Sequence, residues 1–107
     1  MILRCENNKT NAYIPTGMFL GTDSIRVTSR LGKNKAKKKN WNISTDNKAL
    51  FVRKPIGFIK NLMKNKTLLL EFVPYAESRR LIEFDITGLP DEIKKLSHLE
   101  RLVVGKQ

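Results

Sequence analysis

Cationic side chains are the residues of this chain best able to support a function, and they are concentrated in one segment. From Arg26 to Lys66 there are thirteen Lys or Arg residues and one acid, Asp46, which gives this segment a charge of +12. The rest of the 107-residue chain has eight basic and nine acidic residues. Because so local an asymmetry creates a positive field on one part of a molecule, it favours an anionic partner. The alternative is a solvated face that only maintains solubility.

The lysines are densest between Gly32 and Asn40, where five of nine residues are lysine. We expect a flexible basic loop at about residues 32–40, because this stretch is too charged to pack in a core. Trp41 follows it directly and is a candidate for stacking on a nucleobase, the alternative being a core position. The candidate residues for binding an anionic partner are Arg26, Arg30, Lys33, Lys35, Lys37, Lys38, Lys39, Lys60 and Lys64.

Residues suited to catalysis or metal binding are scarce. His98 is the only histidine, whereas acid–base and nucleophilic catalysis usually need a histidine or a tuned carboxylate pair. A triad of Ser44, Asp46 and His98 lacks a nucleophile elbow or an oxyanion motif. A zinc site fails on ligand count, and residues 32–35 do not match the spacing of phosphate-binding loops. We therefore predict a protein that is not an enzyme and has no cofactor or metal.

The compartment is indicated by the cysteine count and by the apolar runs. Cys5 is the only cysteine, so an intramolecular disulfide cannot form, and we expect a buried, reduced and poorly reactive thiol. No apolar run approaches the roughly 18–20 residues needed to span a bilayer. The first residues do not resemble a signal peptide. We expect a cytoplasmic protein, or an exported one if this chain is a fragment of a longer precursor.

The positions of turns and alternating residues predict short strands in the first half of the chain. We expect strands at Ile2–Cys5 and Asn11–Ile14, and a third at Ile25–Arg30 with alternating apolar and basic residues. Trp41 and Ile43 alternate with Asn42 and Ser44, so the basic loop would join two strands. This half of the chain is therefore expected to be β-rich.

The second half predicts a helix followed by a hairpin. Pro55 suits a first helical turn, and the helix should run to about Asn65, packed by Ile56, Ile59 and Met63. Thr67–Tyr75 and Leu81–Ile86 should form an antiparallel hairpin, and a second helix should start at Pro90. The prediction is one α+β domain over residues 1–107: a small antiparallel β-rich fold, sandwich or barrel-like, with one or two short helices.

Five groups of residues carry a resemblance to a known family: Leu3-Arg4-Cys5 with Thr10 and Tyr13-Ile14, residues 25–30, Trp41 to Phe51, Val73-Pro74-Tyr75, and residues 84–89 with Ile93 and Leu96. In this order along the chain they resemble the C-terminal part of the VasI/TagO family of type VI secretion-associated proteins. The sequence departs from that family in lacking its exported N-terminal segment and its later cysteine, which would fall near Glu100. The resemblance implies a secretion-accessory or binding role and brings no catalytic residues.

Two functions remain open on these observations. The first is a binding protein whose basic surface contacts an acidic protein or another anionic partner. The second is a nucleic-acid or nucleoprotein binder, such as a phage-type inhibitor of a host complex. Binding to a membrane surface is weaker, because the basic helix is short and carries few cations. Neither the identity of the partner nor the oligomeric state follows from the sequence.

Overall fold

A computed structural model describes residues 1–6, 9–90 and 101–103, with side chains described for residues 1–4 and 9–90. Within these residues the chain forms eight strands and one helix. They are β1 (Ile2–Glu6), β2 (Lys9–Pro15), β3 (Ser24–Leu31), β4 (Lys37–Ile43), β5 (Ala49–Phe51), α1 (Pro55–Leu62), β6 (Thr67–Phe72), β7 (Arg80–Asp85) and β8 (Arg101–Val103).

The strands form a single antiparallel sheet in the order β7-β6-β3-β4-β5-β2-β1-β8. The sheet curls into a half-barrel. This confirms the predicted α+β class and the β-rich domain, and of the two predicted forms it is the barrel-like one. In the part of the chain that the structure describes, no helix is both long enough and apolar enough to cross a membrane.

One face of the sheet carries the core, as the period of two along each strand requires. In the row that joins β3 to β4, Ile25 lies opposite Trp41. In the row that joins β4, β5 and β2, Ile43, Leu50 and Ile14 are neighbours. Alternate residues point to the other face, which carries Arg26, Thr28 and Arg30 on β3. The core face is therefore largely apolar, and on β3 the opposite face is polar and basic.

The helix α1 covers the core face, and Leu62 is its fully buried residue (0 % exposed). Phe58, Ile59 and Met63 pack against the core at partial burial, so the prediction holds for Ile59 and Met63. It is wrong for Ile56, which is 58 % exposed. At roughly 100° per residue, Ile56 lies about 120° from Leu62 around the helix axis, at the edge of the apolar face. The buried face is centred on Leu62 and Ile59.

The predicted basic loop is partly a strand, which corrects its boundaries. The connection between β3 and β4 covers only residues 32–36, and β4 begins at Lys37 rather than at Trp41. Val27, Thr28 and Ser29 on β3 pair with Lys39, Lys38 and Lys37. A run of lysines predicts exposure, but it does not prevent backbone pairing, since a ladder of hydrogen bonds leaves every second side chain in solvent.

The other predicted elements agree with the structure or lie outside its described part. The β6–β7 hairpin is confirmed, with β6 ending at Phe72 and β7 shifted by one residue, and α1 begins at Pro55 as expected but ends at Leu62. The helix predicted from Pro90 lies outside the described residues apart from a helical start at Leu89 and Pro90. The side chain of Cys5 also lies outside the described part, so its burial stays a prediction.

Candidate anion-binding site

Two Lys-Asn-Lys triplets, distant in the chain, are in contact in the folded protein. Residues 33–35 lie in the β3–β4 connection, and residues 64–66 follow α1. The side-chain amide of Asn34 donates a hydrogen bond to Oδ1 of Asn65 at 3.2 Å. Because each asparagine is flanked by lysines, four lysines lie within one residue of this bond. We call Arg30, Lys33, Lys35, Lys64 and Lys66, with Asn34 and Asn65, the lysine clasp.

The backbone around Asn34 and Asn65 fixes the two triplets in place. Nε of Arg30 donates to the Asn34 carbonyl at 3.2 Å, which brings a fifth cation to the clasp. Asn65 donates from its side chain to the Asn61 carbonyl at 2.9 Å and so caps the end of α1. Gly32 donates from its backbone to the Thr67 carbonyl at 3.0 Å. The clasp is therefore tied to β3, α1 and β6 together.

Gly32 is needed at its position for two reasons. Its φ of +54° belongs to the left-handed region that residues with a Cβ rarely adopt. A Cβ built on it would come within 3.0 Å of Oδ1 of Asn65, closer than ordinary van der Waals contact. The glycine thus allows the β3–β4 connection to approach the end of α1.

The clasp cations form no ion pair with the acids that the structure describes. Among the described side chains, the ion pairs are Arg79–Glu71 at 3.3 Å and Arg80–Glu77 at 3.6 Å. Both pairs lie on β6, β7 and the turn between them, so no described carboxylate lies within 4 Å of a clasp cation. The C-terminal end of α1 carries the negative end of the helix dipole, which favours the cations placed there.

The structure places the nine predicted contact residues on the surface but on two different faces. Arg26 and Lys38 belong to the face opposite the core, whereas Lys37 and Lys39 share the face of Trp41. The face of Trp41 is the one that α1 covers, and Lys60 and Lys64 lie on and just after this helix. All nine residues are exposed, and alternation along β3 and β4 divides those on the strands between the two faces. Lys66 was missed, and the repeated Lys-Asn-Lys triplet was the signal for it.

Trp41 is a core residue, so its predicted stacking role is wrong. Its side chain is 4 % exposed, and its ring meets that of Phe58 edge to face at a centroid distance of 5.4 Å. Trp41 lies opposite Ile25 on the core face of β4, the face that α1 covers. A nucleobase cannot reach a ring packed in this way.

Ser44 and Asp46 form a turn and not the start of a catalytic triad. The Ser44 hydroxyl donates to Oδ1 of Asp46 and accepts a hydrogen bond from the Ala49 amide at 3.0 Å. The Lys48 amide donates to the same carboxylate oxygen at 3.1 Å. These bonds close the β4–β5 turn, and the Ser44 bond is the main cause that lowers the pKa of Asp46. His98 lies outside the described residues.

Neither metal ligands among the described side chains nor comparisons with known proteins assign a further role to this site. Among the described side chains, no group of three or more His, Cys, Asp or Glu residues is suited to a metal ion. The resemblance to the VasI/TagO family stays a prediction. Comparisons with protein families, with curated proteins and with solved structures found no match to this chain.

Proposed function

We propose that this chain is a non-catalytic binding protein that contacts an acidic protein surface through the lysine clasp. One observation supports this most directly: the Asn34–Asn65 hydrogen bond joins two lysine-bearing segments whose cations form no ion pair with any described carboxylate. Uncompensated cations held on ordered backbone attract an acidic surface and steer its approach. A type VI secretion-accessory role, implied by the VasI/TagO resemblance, is part of the same proposal.

An acidic protein suits the clasp better than a nucleic acid does. The clasp cations cluster at the end of β3 and α1, whereas a polyanionic strand is usually bound along a track of phosphate contacts. None of the clasp residues is aromatic, and Trp41 is buried beneath α1. The clasp therefore offers charge without a platform for stacking bases.

A direct test uses poly-L-glutamate as a simple acidic chain. The variant Lys33→Ser/Lys64→Ser removes one lysine from each triplet. The matched control Lys48→Ser/Lys54→Ser removes two exposed lysines elsewhere, for the same change in net charge. We expect the clasp variant to bind about 2- to 30-fold more weakly at low salt, since each exposed ion pair contributes roughly 0.2–1 kcal/mol. The control should bind nearly as well as the unaltered protein.

Fluorescence anisotropy of labelled poly-L-glutamate, measured over a series of salt concentrations, gives both affinity and salt dependence. The difference between clasp variant and control should shrink as salt screens the exposed charges. Equal losses for clasp variant and control would mean that net charge alone attracts the acidic chain. That result would contradict a defined site at the clasp.

A further inference from the structure

A groove of about 580 Å³ lies along β5, away from the lysine clasp. Phe51, Asn42 and Asn11 border it, together with the cations Arg53 and Lys9. Pro55, the first residue of α1, also lines the groove, whereas the clasp lies beyond the last residue of that helix. At about 1.5 Å per residue, α1 separates the two surfaces by roughly 12 Å.

An ordered stack of planar groups reaches the groove. The rings of Tyr13 and Phe51 lie parallel, 4.8 Å apart with an interplanar angle of 10°. The Arg4 guanidinium lies 5.6 Å from the centre of the Tyr13 ring. When the side-chain nitrogen of Asn11 is oriented to donate to the Thr10 carbonyl, its side-chain oxygen accepts a hydrogen bond from Arg4 at 3.1 Å. The side chains of Arg4, Tyr13 and Phe51 thus hold one another in place.

Phe51 lines the groove at the end of this stack. Phe51 lies opposite Tyr13 on β2 and opposite Asn42 on β4, because β5 lies between these two strands. Tyr13 covers the ring face on the β2 side, so the other face is directed toward β4 and Asn42. Phe51 is therefore the aromatic residue at the groove end of the stack, with Asn42 as its neighbour on β4.

Two cations line the same groove as Phe51. Nε of Arg53 donates to Oδ1 of Asn42 at 2.8 Å, which orients the guanidinium and leaves its terminal N–H groups for a ligand. Lys9 is exposed at the groove. Among the described side chains, neither cation has a carboxylate within 4 Å. A groove lined by an aromatic ring and by these two cations suits a ligand that is planar at one end and anionic at the other.

We propose that this groove binds a nucleotide unit, with its base stacked on Phe51 and its phosphate held by Arg53 and Lys9. The source is either a free nucleotide or one unit of a single strand, and both present the same chemistry. Aromatic stacking combined with cations is how single strands are bound without sequence preference. The inference is independent of the proposed function, because it uses none of the clasp residues.

The test measures binding of three probes by titration calorimetry or anisotropy. They are an oligothymidine of about six nucleotides, an abasic phosphodeoxyribose chain of equal charge, and thymidine monophosphate. We expect the abasic chain to bind more weakly than the oligothymidine, since it has phosphates but no base to stack. An oligothymidine that binds more tightly than the monophosphate indicates a single strand as the source. Equal affinities per site indicate a free nucleotide.

Substitutions then separate stacking from charge. Phe51→Leu should weaken oligothymidine binding about 5- to 100-fold, the range seen when one stacked base loses its aromatic partner. The matched control is Phe19→Leu, because Phe19 is an exposed phenylalanine (47 %) that contacts Tyr75 outside the groove. Arg53→Gln should lower the slope of log affinity against log salt by about 0.7, the value for one phosphate on a single strand. Lys33→Ser/Lys64→Ser should leave oligothymidine binding nearly unchanged.

Two results would overturn the proposal. Equal affinity for oligothymidine and for the abasic chain would show that no base stacks in the groove. Oligothymidine binding that survives both Phe51→Leu and Arg53→Gln would place it elsewhere. Arg53 is exposed, so its substitution leaves a folded protein with which to judge the groove even if Phe51→Leu perturbs the sheet. Emission from Trp41 reports whether each variant is folded.

Discussion

Asn34 and Asn65 are 31 residues apart in the chain, yet the side-chain amide of Asn34 donates to Oδ1 of Asn65 at 3.2 Å. This bond joins the β3–β4 connection to the end of α1, the two segments that carry four lysines of the clasp. The bond is exposed to solvent, so its contribution to the free energy of unfolding is small. In the proposed binding role, it would order these segments before a partner arrives and so reduce the entropy lost on binding.

Removing the Asn34 amide should loosen the β3–β4 connection with little effect on stability. We expect Asn34→Ala to lower the free energy of unfolding by about 0.5–1.5 kcal/mol at most. The backbone order parameters of residues 32–35, measured by NMR relaxation, should fall. Asn40→Ala is the control, because Asn40 is an exposed asparagine on β4. Unchanged order parameters in Asn34→Ala would show that the backbone alone orders the connection.

Leu62 and Ile56 should differ sharply in their contribution to stability, although both belong to the apolar face of α1. Leu62→Ala should lower the free energy of unfolding by about 2–5 kcal/mol, because it leaves a cavity in the core. Ile56→Ala should cost less than about 0.5 kcal/mol, because Ile56 is largely in solvent. Urea unfolding followed by circular dichroism measures both. Similar losses for the two variants would mean that Ile56 is also packed.

Trp41 provides a test of the core with the protein unaltered. It is the only tryptophan of the chain, so all tryptophan emission comes from this position. We expect blue-shifted emission that iodide quenches poorly, because the ring lies beneath α1. An exposed tryptophan among so many cations would instead be quenched strongly, since the positive field concentrates iodide. Strong quenching that disappears at high salt would therefore contradict the burial of Trp41.

The titration of Asp46 should report the hydrogen bonds that close the β4–β5 turn. The Ser44 hydroxyl lowers the pKa of Asp46, so Ser44→Ala should raise that pKa toward its ordinary value. Because the folded-state pKa is depressed, this bond stabilises the turn above the unfolded pKa. The contribution is lost as pH falls through the folded pKa.

The carboxyl carbon shifts of Asp46 and Asp85, followed by NMR against pH, test this prediction. Asp85 is an internal control, because the Thr87 amide lowers its pKa independently of Ser44. The stability difference between the unaltered protein and Ser44→Ala should be larger near neutral pH than at about pH 2. An Asp46 pKa that does not move in Ser44→Ala would assign the shift to the Lys48 amide instead.

Local pattern was sufficient to determine the class of fold and several of its elements. Alternation along residues 25–30 fixes which side chains of β3 point to the core, and Pro55 fixes where α1 begins, because both depend on neighbours in the chain. The charge of residues 26–66 likewise determined that the cations would be exposed. Burial of many charges in so small a core would cost more than folding can supply.

Tertiary structure decided which of these residues act together. β3 pairs with β4 as far as Lys37, so the connection is shorter than predicted. The pairing also places Lys38 on the opposite face of the sheet from Lys37 and Lys39. The position of α1 over the sheet buried Trp41 and left Ile56 in solvent. The stacking of Tyr13 on Phe51 and the bond between Asn34 and Asn65 join residues far apart in the chain. Such neighbours depend on strand order and helix placement, which the free energy of the whole core selects and no local pattern encodes.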